Sequence, residues 1–217
     1  MNAEMRSEIW DIYLEAIRRH AHQLLFWGYQ DARGRIQTAE DEPEITGLLG
    51  DAMKARLDHP DTPDEFDYYV IGDQVPVSPN GEMGNKRKKL DLSVIRSVVK
   101  PRLSYVFEAK RLMTTRYTIG DYVGASGMGD FIDCRYAQGC PEAAMVGLFH
   151  NKGLSYWHGE LRRAYCEDAA SAAPQLGVLA HPSPITVLAD LPGELESRHH
   201  RTDKSVIVLL HIFLDCT

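Results

Sequence analysis

Two apolar segments of this chain carry charged side chains at positions where they could do chemistry together. The first, Lys89–Ile95, contains Asp91, and the second, Ser104–Lys110, contains Glu108. Both segments have the composition of β-strands, in which successive side chains point to opposite faces. Glu108 and the lysine that ends the second segment therefore emerge on one face, roughly 6–7 Å apart along the strand. The spacing predicts that two acids and an amine meet on a sheet.

The neighbouring strand can present its carboxylate to the same place. Leu90, Leu92 and Val94 mark one face of the first segment, which leaves Asp91 on the opposite face. A carboxylate there can meet Glu108 across the sheet, because opposed residues of paired strands lie about 5 Å apart. Carboxylate oxygens bind Mg²⁺ or Mn²⁺, and a lysine beside such an ion can orient an attacking water. These residue types suit metal-dependent hydrolysis of a phosphodiester.

The two strands resemble the signature of the PD-(D/E)xK nuclease superfamily. Its restriction-endonuclease-like core runs helix, three antiparallel strands, helix, strand, and the elements predicted for this chain follow that order. The resemblance implies Asp91 and Glu108 as metal ligands and Lys110 as the residue that positions the nucleophilic water. It also implies a glutamate from the first core helix, and Glu44, beside Leu48 on the inward side of that predicted helix, is the best match.

The chain departs from the superfamily pattern at one position. Asp91 follows Leu90 where the pattern has proline, and the literal Pro-Asp pairs at 60–61 and 63–64 lie in a turn-rich linker. We interpret those pairs as loop residues. Charged residues on two strands are also compatible with a solvated or salt-bridged sheet face that has no catalytic use. Their position inside otherwise apolar strands favours a functional site, because burying charges is costly.

Basic side chains concentrate around the predicted metal site. Residues 85–116 contain ten Lys or Arg and two acids, a net of +8, although the whole chain has a net charge of −7. A local basic surface attracts a phosphate backbone, and this attraction weakens with salt. The alternative is that residues 86–89 form the solvated tip of a hairpin. The residues predicted to bind nucleic acid are Lys86, Arg87, Lys88, Lys89, Arg111 and Arg116.

Hydrophobic periodicity predicts an α/β fold. Apolar residues recur at helical spacing in a first helix that ends near Gly28, which we expect to pack outside the catalytic core. A second helix, with Pro43 near its start, carries Glu44. Strands are predicted at 66–77, 86–95, 104–110, 143–149 and 205–215, helices at 127–138 and 156–169, and loops at 171–184 and 197–201.

We expect one domain over residues 1–217, with 1–40 as an N-terminal helical extension and 41–217 as the nuclease-like core. The sequence shows neither an apolar leader nor a membrane span, which predicts a soluble, cytoplasmic protein. The resemblance implies a Mg²⁺- or Mn²⁺-dependent nuclease that favours DNA and serves in restriction or antiphage defence, as a homodimer or with partner subunits. Two alternatives remain open: a non-catalytic scaffold subunit with the same fold, and an RNA-cutting enzyme.

Overall fold

Helices cover both faces of a seven-stranded mixed sheet. The computed structural model describes residues 3–36, 41–78, 83, 87–98, 100 and 102–217. The helices are α1 (Ala3–Ala32), α2 (Glu42–Leu57), α3 (Ile119–Val123), α4 (Met128–Ile132) and α5 (Leu154–Ala170). The strands are β1 (Tyr69–Val77), β2 (Lys88–Arg96), β3 (Ser104–Leu112), β4 (Glu142–Phe149), β5 (Val178–Pro184), β6 (Leu195–His200) and β7 (Val206–Asp215).

The strand order β1-β2-β3-β4-β7-β6-β5 places β4 at the centre of the sheet. Both neighbours of β4 run parallel to it, and the other adjacent pairs are antiparallel. Parallel neighbours need a crossover connection. Between β3 and β4 the connection contains α3 and α4, and between β4 and β7 it contains α5, β5 and β6. The α/β class predicted from the sequence is confirmed, and the sheet is larger than the predicted core.

Alternation of side chains along the central strands divides the apolar core into two layers. On β3, Tyr105, Phe107 and Ala109 pack with α1 and α2, whereas Val106 and Leu112 pack with α3, α4 and α5. The buried strands β4 and β7 alternate in the same way. Strands that face helices on both sides need apolar residues at nearly every position, which explains their continuous apolar sequence.

Helix α1 belongs to the main core, so the expectation that it packs outside the core is wrong. Ile17, Leu24 and Leu25 on α1 are 0–1% exposed. The helix also continues past Gly28, where a Cβ would lie 2.6 Å from Cγ of Met53 on α2. Glycine at this position permits close approach of the two helices and does not end α1. Among the described residues, no helix is both long enough and apolar enough to cross a membrane.

A buried acid–histidine pair connects α1 to the opposite end of the chain. Nδ1 of His22 lies 2.5 Å from a carboxylate oxygen of Glu194, and both side chains are at most 1% exposed. The second oxygen of Glu194 accepts hydrogen bonds from the backbone N–H groups of Val187 and Leu188. Nε2 of His22 lies 3.0 Å from the Tyr105 hydroxyl on β3. Polar groups buried this deeply must be paired, and each of these contacts also fixes the position of a backbone segment.

Two other predicted elements differ from the structure. The sequence predicts loops at 171–184 and 197–201, but β5 occupies the second half of the first range and β6 all of the second except residue 201. The alternating buried residues of β6 include Ser197 and His199, whose polarity conceals the apolar pattern of a strand. The helix predicted at 127–138 is wrong beyond Ile132, where positive φ angles at Cys134 and Ala137 turn the chain.

Five polar side chains form a network inside the layer that contains α5. Oγ of Ser197 lies 2.8 Å from Nε2 of His199 and 2.7 Å from Nε2 of His211. The Tyr165 hydroxyl donates to Ser197 over 2.8 Å, and the Tyr122 hydroxyl lies 3.0 Å from Nδ1 of His211. These contacts join β6, β7, α3 and α5. The network satisfies its buried groups with neutral imidazoles, because no acidic partner is among these contacts.

We expect the free energy of unfolding to fall as the pH is lowered from about 7 to about 4. Burial lowers the pKa of His199 to about 4 and that of His211 to about 3. Both imidazoles regain a pKa near 6.5 when the chain unfolds. Below that pH the unfolded chain binds protons that the folded chain excludes, so this contribution to stability is complete only above about pH 6.5. Urea unfolding at stepped pH measures the slope.

A matched pair of variants tests the origin of that slope. His199→Asn removes one buried imidazole and should flatten the dependence of unfolding free energy on pH. His200→Asn makes the same substitution at the adjacent, exposed position and is the matched control. An unchanged slope in His199→Asn would contradict the assignment.

Candidate active site

The regular pairing of β2 with β3 ends next to Asp91 on β2 and Glu108 on β3, the two predicted metal ligands. Regular pairing extends from Ile95 opposite Ser104 to Leu92 opposite Phe107. Beyond that pair, the backbone N–H of Ala109 donates to Oδ2 of Asp91 over 2.8 Å. The backbone N–H of Arg111 donates to Oε2 of Glu42, at the start of α2, over 2.9 Å. The carboxylates of Asp91 and Glu42 therefore accept the hydrogen bonds that a neighbouring strand would accept along this part of β3. We call the site formed by Glu42, Asp91, Glu108 and Lys110 the notch.

Asp91 is held in the notch from both sides. Its other oxygen, Oδ1, accepts a hydrogen bond of 3.3 Å from the side-chain amide of Gln74, which has a φ of 48° on β1. Leu92 and Val94 pack against α1 and α2, but Leu90 packs with the opposite layer. The prediction that all three leucine and valine side chains share one face is thus wrong for Leu90. The strand changes the direction of its side chains around Asp91.

Glu108 and Lys110 meet on β3 as their spacing predicts. Nζ of Lys110 donates to Oε1 of Glu108 and to Oε1 of Glu42, each over 2.8 Å. Continuing the ladder register by one residue places Asp91 opposite Glu108. The Glu108 and Lys110 side chains are only 5% and 12% exposed. The structure thus brings Asp91, Glu108 and Lys110 together and adds Glu42.

Glu44 does not join this cluster, and the expectation that it faces inward is wrong. Its side chain is exposed, and it accepts a hydrogen bond from the backbone N–H of Asp41 in a capping box at the start of α2. Glu42, two positions earlier, contacts β3 instead. The sequence carried a signal for this difference, since an Asp followed three residues later by Glu is the pattern of a capping box.

Burial and like charge act together on the acids of the notch. Burial, and then the charge of Asp91, raise the pKa of Glu108 to about 9, against the opposing effect of Lys110. Burial also raises the pKa of Asp91. Burial lowers the pKa of Lys110, but Glu108 and Glu42 outweigh it and the net shift is upward. At neutral pH, Glu108 without a cation is therefore mostly protonated, while Lys110 keeps its charge.

The donor set fits a hard divalent cation held by few protein ligands. Oε2 of Glu108 is buried and has no hydrogen-bond partner among the described residues. An unpaired buried carboxyl oxygen is costly unless it is given a partner such as a cation. In the described part of the chain, no group of three or more His, Cys, Asp or Glu side chains is arranged to hold a metal. Asp91 and Glu108 are two carboxylates, which suits Mg²⁺ because that ion keeps several waters.

The six predicted nucleic-acid ligands fall into different environments. Lys86 lies outside the described residues. Arg87 and Lys89 are exposed, and Lys88 forms an ion pair of 2.6 Å with Asp130. An accessible basic surface, formed by Arg87 and Lys89, therefore remains at the start of β2.

Arg111 and Arg116, which follow Glu108 and Lys110 in the chain, differ in their exposure to solvent. Arg111 is 4% exposed and lies over the ring of Tyr117, at 5.3 Å from the ring centroid. Its burial leaves little of the guanidinium at the surface, so burial does not favour the predicted contact of Arg111 with nucleic acid. Arg116 is exposed, with its guanidinium 5.0 Å from the same ring centroid.

Besides Glu42, the sequence interpretation does not identify three other residues near the notch. Gln74 and Asp130 are ordinary polar residues whose partners lie 17 and 42 positions away. Tyr136 was placed in a helix, but its hydroxyl donates to the backbone carbonyl of Lys89 over 2.8 Å. Hydrophobic periodicity predicts which face of an element a residue occupies, but it does not predict which distant residue that side chain contacts.

Comparison of the chain with protein-family models finds no match, and neither the curated proteins nor the solved structures contain a match.

We expect Asp91→Asn to lower the pKa of Glu108 by about one unit or more, because it removes a neighbouring negative charge from a buried site. Carboxyl ¹³C NMR titration of the metal-free protein measures this pKa, which should lie at about 9 before substitution. Asp73→Asn is the control, since Asp73 pairs with Lys54 over 2.6 Å outside the cluster. A Glu108 midpoint near 4.5 in the unmodified protein would contradict the electrostatic account.

Proposed function

We propose that this protein is a metal-dependent nuclease that hydrolyses phosphodiester bonds in the notch. The observation that carries the proposal is the convergence of Asp91, Glu108 and Lys110, with one buried oxygen of Glu108 lacking a hydrogen-bond partner among the described residues. A buried carboxylate oxygen ordinarily has a hydrogen-bond donor. An oxygen left without a donor, beside a second carboxylate, suits a site that takes up a cation.

The order of elements supports a restriction-endonuclease-like core. Helix α2 precedes the antiparallel strands β1, β2 and β3, the short helices α3 and α4 follow, and β4 returns parallel to β3. This is the sequence of elements that the resemblance to the PD-(D/E)xK superfamily implies. In this proposal, α5, β5, β6 and β7 enlarge the core on the side away from the notch.

Asp91 and Glu108 would hold Mg²⁺ or Mn²⁺, whose chemistry is to polarise the phosphate and to make water more acidic. Glu108 must lose its proton to become a ligand, because its pKa lies at about 9 without a cation. Lys110 stays protonated between two carboxylates, so it donates a hydrogen bond to the attacking water and orients it. It does not remove the proton from that water. Glu42 fixes the Lys110 ammonium from the side of α2.

The choice of DNA and a role in restriction or antiphage defence follow from the superfamily resemblance, and a cytoplasmic site of action is carried over from the sequence prediction. The accessible basic residues Arg87, Lys89 and Arg116 support a polyanionic substrate. A single notch per chain cuts one strand at a time, so cutting both strands requires a homodimer, partner subunits or two successive events.

The test is cleavage of labelled single- and double-stranded DNA and RNA by the purified protein with Mg²⁺ or Mn²⁺. We expect cutting that stops with EDTA and falls by about 100-fold or more in Glu108→Gln and in Lys110→Ala, because each removes a group that acts on the reacting phosphate or water. Glu44→Gln is the control for loss of a carboxylate from α2, and it should retain activity because Glu44 is exposed and outside the cluster.

Other outcomes identify the alternatives. Binding of nucleic acid without cutting, unchanged in Glu108→Gln and Lys110→Ala, would replace the nuclease with a scaffold subunit. Cutting confined to RNA would keep the chemistry and change the substrate. Circular dichroism of each variant establishes that the fold persists.

A further inference from the structure

One lysine of the basic segment is held in place by a buried acid. Nζ of Lys88 lies 2.6 Å from Oδ1 of Asp130, a carboxylate only 2% exposed on α4. Nε of Arg135 lies 2.6 Å from the same oxygen. Two cations thus share one buried carboxylate.

The two cations differ in what remains available to a ligand. Nη2 of Arg135 also lies 2.8 Å from Asp133 and donates to the backbone carbonyl of Ala125 over 2.9 Å. The guanidinium therefore contacts Asp133 and the backbone of Ala125 as well as Asp130, which it helps to hold in place. The Lys88 side chain is 40% exposed, and Asp130 accounts for one of the three N–H bonds of its ammonium. Lys88 is the more exposed cation of the pair, at 40% against 27% for the Arg135 side chain.

Tyr136 attaches this group to the notch. Nζ of Lys88 lies 5.9 Å from the centroid of the Tyr136 ring, and the Tyr136 hydroxyl donates to the backbone of Lys89. Burial raises the pKa of Tyr136, and the nearby charges of Glu108, Asp130 and Asp91 raise it further. The tyrosine therefore contacts both the anchored lysine and the backbone of β2 two residues before Asp91.

Fixing a lysine before binding favours the bound state. A free lysine side chain loses rotamer freedom when it contacts a phosphate, whereas Lys88 has already lost much of that freedom in the folded protein. Arg135 alone could neutralise Asp130. The addition of Lys88 gives the surface an ammonium with a defined position beside the notch.

We propose that Lys88 binds a backbone phosphate of the nucleic-acid strand cut in the notch, on one side of the scissile phosphate, and that Asp130 is the positioning residue for this contact. The inference rests on the proposed function of the notch. Lys88 precedes Asp91 by three residues on β2, a separation of about 10 Å along the strand. That length corresponds to roughly three nucleotides of one strand.

The experiment measures equilibrium binding to a fluorescein-labelled DNA duplex, and to RNA of the same sequence, in EDTA across a series of salt concentrations. Lys88→Ala should weaken binding by about fivefold or more and reduce the slope of log K against log salt by about one, as for loss of one phosphate contact. Lys89→Ala is the matched control, because it removes the same charge from the adjacent exposed residue without an ion pair to Asp130. It should have less than half of either effect.

Three further variants separate positioning from folding and from net charge. Lys88→Arg should restore the salt slope. The double variant Lys88→Ala/Asp130→Asn leaves no unpaired buried acid, so weak binding there reports loss of the lysine rather than loss of the fold. Asp130→Asn alone makes the surface less negative, and it should nevertheless weaken binding if Asp130 positions Lys88. Tighter binding by Asp130→Asn would overturn the positioning role.

Cleavage measured in parallel with Mg²⁺ separates this inference from the proposed function. Cutting with equal effects of Lys88→Ala and Lys89→Ala overturns the inference and leaves the nuclease. Binding that depends on Lys88, without cutting by the unmodified protein, supports the phosphate contact and overturns the nuclease. Absence of both binding and cutting overturns both.

Discussion

The arrangement of charged groups depends on an exchange of hydrogen-bond partners along β3. Where β2 ceases to pair, the backbone N–H groups of Ala109 and Arg111 would lose their acceptors, and a buried N–H without an acceptor is costly. Asp91 and Glu42 supply those acceptors from β2 and α2. The same two contacts bring both carboxylates to the side of Glu108 and Lys110. The geometry of the notch thus follows from satisfying the backbone of one strand.

That solution concentrates negative charge in a buried place. Three carboxylates surround one lysine. Burial and then the charge of Asp91 drive Glu108 toward its protonated form, while Glu108 and Glu42 keep Lys110 charged. The two apolar layers hold the strands and helices that carry these groups, which prevents the carboxylates from moving apart. A divalent cation would relieve the repulsion that the fold imposes. Basic residues at the start of β2, chiefly Lys88, place positive charge on the surface beside the negatively charged notch.

The sequence was informative where chemistry and periodicity coincide, and it failed where partners are distant or a buried residue is polar. Strand alternation correctly predicted that Glu108 and Lys110 meet and that Asp91 approaches them. Helical periodicity could not choose between Glu42 and Glu44, because the choice depends on the capping box that occupies Glu44. Strand β6 was missed since Ser197 and His199 fill buried positions, and their hydrogen-bond partners on other elements cannot be read from local sequence.

Calorimetric titration of Mn²⁺ into the protein near neutral pH, in two buffers of different ionisation enthalpy, tests most directly whether the notch is a metal site. The account predicts one ion per notch and release of about one proton, because Glu108 must ionise to become a ligand. Glu108→Gln should abolish the proton release and weaken binding. Absence of binding by the unmodified protein, or binding that is the same in Glu108→Gln and releases no proton, would contradict the account.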